Sequence, residues 1–123
     1  MRTVRALLGN KEITLNVTFG AAAKISETVE DPLEITRQAG LEDAMMRAGM
    51  PYDPAFKFTV PNVAQILHAG VDDMTLEQVQ DLVISGGALE AQKVAIDFIA
   101  AIATPKTQET PKSKKDEAPP EKK

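Results

Sequence analysis

The residues able to do chemistry in this chain are few. There is one histidine, His68, and no cysteine. A metal site needs several ligands converging, and His68 has neither a second histidine nor a thiolate to join it. Asp72 follows four residues later, but Gly70 breaks the helix between them. His68 therefore reads as a half-exposed surface residue. The carboxylate pairs Glu30/Asp31, Glu42/Asp43 and Asp72/Asp73 are the material of an oxygen-ligand metal site or an acid–base couple. Each lies on a solvated face or at a helix start, where the helix dipole favours an anion, and none has the spacing of a calcium loop. Ser26 and Ser85 are candidate nucleophiles outside any Gly-x-Ser-x-Gly turn. Gly86-Gly87 lacks the lysine and hydroxyl residue that complete a phosphate-binding loop. The expectation is a non-enzymatic protein with no cofactor and no metal.

Binding chemistry gives two more candidates. Residues 60–85 have the helix, short turn, helix order of a DNA-reading pair, but contain Asp72, Asp73, Glu77 and Asp81 and no lysine or arginine. A DNA reader needs cations to displace counterions from phosphate, so nucleic acid is excluded. Met45, Met46 and Met50 cluster just before a proline-flanked aromatic loop, residues 50–58, containing Tyr52, Phe56 and Phe58. Methionine is flexible and polarisable and adapts to irregular partners. Filling the core is its competing role, and Met45 falls on the apolar side of its helix. Met46, Met50, Tyr52 and Phe56 are the candidate partner-binding residues.

Composition divides the 123 residues in two. Residues 104–123 hold four prolines, six lysines and four acids, and their one aliphatic side chain is Ala118. Such a segment cannot bury enough apolar surface to offset chain entropy and is expected to be a disordered, solubilising tail. Residues 1–103 carry a net charge of −6 against +2 in the tail, and form one globular domain. No apolar run approaches the ~20 residues of a membrane span, so no membrane partner is expected and the chain reads as cytoplasmic.

The elements that position these residues follow from periodicity. Ile13, Leu15, Val17 and Phe19 alternate with polar residues, the pattern of a half-buried strand. Residues 3–8 supply its partner, and Gly9-Asn10 suits a two-residue type II′ turn. Thr18 can cap a helix running to about residue 29. Asp31-Pro32 opens a second helix, with Leu33, Ile35, Leu41 and Met45 as its apolar residues and Gly40 as a kink or interruption. Val60, Val63, Ala64 and Leu67 mark one face of a third. Thr75-Leu76-Glu77-Gln78 is a capping box with a Met74/Val79 staple, and Gly86-Gly87 provides a left-handed stop. Residues 88–103 form an alanine-rich helix buried along Ala91, Ala95, Phe98, Ile99 and Ile102. The fold class is mainly α: an N-terminal β-hairpin followed by about five short helices and a disordered tail.

In its order of segments the chain resembles a known family. The strand pair of residues 4–17 leads into Thr18-Phe19-Gly20-Ala21-Ala22. Then come Val63-Ala64-Gln65-Ile66-Leu67-His68-Ala69-Gly70, Met74-Thr75-Leu76-Glu77-Gln78-Val79, the alanine-rich helix and a polar tail. Over residues 3–103 this is similar to the small tail assembly chaperones of phages and gene transfer agents. The resemblance implies a chaperone that coats the tape measure protein in the host cytoplasm, gives way to tail tube protein, and is absent from mature particles. The loop at residues 50–58 departs from the family pattern. A structural tail component (tube or connector subunit) and a small protein-interaction adaptor are the alternatives. An open hairpin edge beginning at Thr3 is a candidate self-association site.

Overall fold

A computed structural model describes residues 2–104. The expected tail lies, beyond Thr104, outside the described residues. The chain forms a mainly α domain: β1 (Arg2–Leu8), β2 (Lys11–Val17), α1 (Phe19–Thr28), α2 (Pro32–Arg47), α3 (Val60–Gly70), α4 (Leu76–Ser85) and α5 (Ala88–Ala103). No helix among the described residues is long and apolar enough to cross a membrane.

The hairpin is antiparallel, with Val4 opposite Leu15 and Ala6 opposite Ile13. Gly9 takes the left-handed φ of 63° that the tight turn requires. Its inward face (Val4, Ala6, Leu8, Ile13, Leu15, Val17) packs on the helices, and Thr3, Arg5, Glu12 and Thr14 point to solvent. A lone hairpin is marginal in water, so this apolar face needs the helical layer beneath it.

That layer is built around α3, which packs against α1, α4, α5 and β2 and buries Val63, Ala64, Ile66 and Leu67. The Phe98 ring of α5 is fully buried beside Gly70, where an added Cβ would lie 2.7 Å from the ring. Gly70 thus ends α3 by allowing close approach of two elements. Arg2 ties the first strand to the end of α5, donating to the backbone carbonyls of Ala101 and, at 3.2 Å, Thr104.

The caps fall where the sequence places them. The Thr18 hydroxyl accepts the Ala21 N–H at 3.0 Å, and Asp31 Oδ1 accepts the Leu33 N–H at 3.0 Å. In the capping box Thr75 accepts from the Gln78 N–H at 3.1 Å while Gln78 accepts from the Thr75 N–H at 2.9 Å. Gly86 leaves room for Leu8 of the hairpin, and Gly87 carries the positive φ of 96° that ends α4 and opens α5.

Three local expectations change. Helix α2 runs through Gly40 without a break. Phe19 does not continue the strand alternation: Thr18 turns the chain, and Phe19 becomes the outward-facing first residue of α1. The apolar residues of α2 do not form one buried stripe either. Helical residues two apart lie about 200° around the axis from each other, so Leu33 and Ile35 cannot share a face. The core takes Pro32, Ile35 and Gln38, and Leu33 is left outside.

Candidate functional site

The site is defined by large apolar side chains that the fold leaves uncovered. Phe19 is 88% exposed and Leu33 66% exposed. They border one groove, of about 510 Å³, between α1, the start of α2 and the end of α5. Ala22 and Ala23 of α1, Pro32 of α2 and Ile102 of α5 complete its apolar lining. Residues 19, 22, 23, 26 and 27 recur at helical spacing, so α1 buries Ala21 and Ile25 on one side and offers a second face to the groove.

The charge lining this groove is one-sided. Glu27 and Asp31 line it and no cation does. Arg37 of α2 pairs with Glu34, and Arg2 binds the end of α5. Asp31 is committed to capping α2, whereas the Glu27 side chain makes no hydrogen bond or ion pair among the described residues.

The candidates from sequence fall into two groups. Met46, in the last turn of α2, and Met50, three residues past its end, are 68% and 52% exposed, and the second half of α2 stands largely clear of the core. Backbone bonds from Gly49 N–H to Met46 O and from Met50 N–H to Met45 O close this end. Tyr52 and Phe56 are half-buried. Phe56 packs against the core and meets Phe58 edge to face with centroids 4.9 Å apart. Two glutamines hold the loop: Gln38 Oε1 accepts the Phe56 N–H at 2.8 Å and Gln92 donates to the Phe58 carbonyl at 3.0 Å. Met46 and Met50 are therefore open to a partner, and Phe56 is largely engaged in holding its own loop.

A second apolar area, Val60, Ile84 and Leu89, lies where α3 begins, α4 ends and α5 begins, over two shallow hollows of about 220 Å³ each. Leu89 and Ile102 are thirteen residues apart on α5, so this area and the groove are separated by ~20 Å along that helix.

The titratable groups have local roles. His68 is half-buried, and burial, then the charge of Lys24, hold its pKa below the ordinary value. Asp72 accepts a hydrogen bond from Asn16 of the hairpin at 2.8 Å, Asp43 pairs with Arg47 at 3.0 Å, and Glu30 accepts the Asp31 N–H at 3.2 Å. Among the described residues, no three of His, Asp and Glu gather where they could hold a metal ion.

Phe19, Leu33 and Ile102 were not among the candidates named from sequence. The angular mismatch of Leu33 with Ile35 was available there, as was the Thr18 cap that makes Phe19 the first residue of a helix. Their convergence on one groove required the packing of α1, α2 and α5. The chain matches no protein-family model, and no curated protein or solved structure is significantly similar to it.

Proposed function

We propose that this protein is a phage-type tail assembly chaperone, a non-enzymatic binding protein that keeps the tape measure protein soluble and yields it to tail tube protein. The observation that carries the reading is the exposed apolar surface of Phe19, Leu33, Met46 and Met50 on a domain whose net charge is −6. An extended helical client exposes apolar stripes along its length. Many copies, each binding with modest affinity, coat such a polymer through avidity and are still displaced one at a time. The excess of carboxylates keeps the coated complex in solution. The hairpin gives copies a way to associate, because a two-stranded sheet leaves an edge on each strand without a strand partner.

A chaperone leaves before the tail is complete, whereas a tube or connector subunit stays. Mass spectrometry of purified particles from a producing strain is expected to find tube and tape measure proteins and to lack this chain. Its recovery in amounts comparable to the tube subunit would contradict the proposal.

A further inference from the structure

We infer that the groove between α1, α2 and α5 receives an amphipathic helix from another protein, its apolar stripe bordered by lysine or arginine. The inference deepens the client-binding reading above and rests on it for the occupant's origin outside this chain.

The shape fits a helix. The outward face of α1 from Phe19 to Glu27 covers eight residues of rise, ~12 Å, which matches about two turns of a partner lying alongside. Ala22 and Ala23 form a low floor, with Phe19 at one end and Leu33 across the groove. Side chains at i, i+3, i+4 and i+7 of a docked helix would meet that floor, as in helix-in-groove recognition.

Charge selects the partner. Glu27 and Asp31 stand in the lining without a cation, so a lysine or arginine beside the partner's apolar stripe would find a carboxylate, and an acidic one would be repelled. Occupants from this chain each lack one of the two features, the apolar stripe or the cations. Residues 105–123 follow just after Ile102 and carry lysines, but they have no large apolar side chain to cover Phe19 and Leu33. The exposed end of α2 in a second copy offers Met46 and Met50, but Arg47 there is paired with Asp43 and Glu42 stands beside it, leaving a net negative element.

The test is fluorescence anisotropy of two labelled synthetic peptides on the full chain. Both are amphipathic helices of about 18 residues, long enough to populate helix in water, with one leucine/alanine stripe flanked by lysine in the first and by glutamate in the second. The lysine peptide is expected to bind about tenfold or more tighter than the glutamate peptide, a difference of about 1.4 kcal/mol. Phe19→Ala with Leu33→Ala is expected to weaken it by about tenfold or more, and Glu27→Lys to erase the preference between peptides. Leu89→Ala, at the far end of α5, should leave binding unchanged. Circular dichroism of each variant controls for folding; the substituted side chains are exposed. Equal binding of the two peptides, indifference to the Phe19/Leu33 pair, or an equal loss in Leu89→Ala would overturn the inference. So would sedimentation velocity showing self-association of the chain that Phe19→Ala abolishes, because a second copy would then fill the groove. Peptide binding that survives while tape measure protein is not retained would remove the chaperone reading alone. Retention of that client by the Phe19/Leu33 variant would remove the groove assignment alone.

Discussion

Gln38 and Phe56 are joined across eighteen residues by a hydrogen bond of 2.8 Å from the Phe56 N–H to Gln38 Oε1. Gln38 is buried, and its amide nitrogen donates to Glu34 Oε2 at 2.8 Å. One side chain thus anchors the long loop between α2 and α3 to the helix before it. Gln38→Leu keeps the volume and leaves the Phe56 N–H without its acceptor, at an expected cost of about 1–2 kcal/mol. Denaturant unfolding should register that loss, and amide exchange at Phe56 should quicken. An unchanged exchange rate would mean that the loop is held by ring packing alone.

Glu34 predicts an acid limb of stability. Hydrogen bonds from Arg37, then from Gln38, lower its pKa from 4.5 to about 2. The folded state therefore disfavours its protonation relative to the unfolded chain. The contribution is complete above pH ~4.5 and is lost as pH falls towards 2. Denaturation midpoints measured from pH 6 to pH 2 should fall less steeply in Glu34→Gln than in the parent. Parallel curves would contradict the assignment.

Two glycines inside helices should respond to alanine in opposite directions. A Cβ at Gly70 would lie 2.7 Å from the buried Phe98 ring and 3.0 Å from Leu15, whereas one at Gly40 meets nothing within 4 Å. Gly70→Ala is expected to destabilise by about 1–3 kcal/mol through overpacking. Gly40→Ala is expected to stabilise by up to about 1 kcal/mol through helix propensity. Thermal denaturation of the two variants separates them, and a shift of the same sign in both would contradict the packing described.

The capping box of α4 should be worth a measurable amount on its own. Thr75→Ala removes the acceptor for the Gln78 N–H and is expected to cost about 1 kcal/mol. The loss should show in the unfolding midpoint with little change in its denaturant dependence.

Local rules carried most of the fold. Alternation gave the hairpin, and hydroxyl, Asp-Pro and Thr-x-x-Gln signals gave the starts of α1, α2 and α4. Of the stripe expected on α5, Ala91, Ala95, Phe98 and Ile99 are buried, whereas Ile102 is half-buried and lines the groove. What failed was α2, whose apolar residues occur in numbers that suggest a stripe but at angles that deny one. A helix there still forms, because a cap, a proline at its first position and contact with α5 suffice. The core accepts Ile35 with Gln38 and leaves Leu33, Leu41 and Met46 exposed. The site was less legible than the fold. Met46 and Met50 stand out as types, but Phe19, Leu33 and Ile102 come from three separate helices. Their nearness is a matter of tertiary packing that no local spacing encodes.

The most direct measurement is co-expression of this chain with the tape measure protein proposed as its client, followed by fractionation and pull-down. The chaperone account predicts that the tape measure protein moves into the soluble fraction and co-purifies with several copies of this chain. Equal insolubility with and without the chain, and no complex recovered, would contradict it.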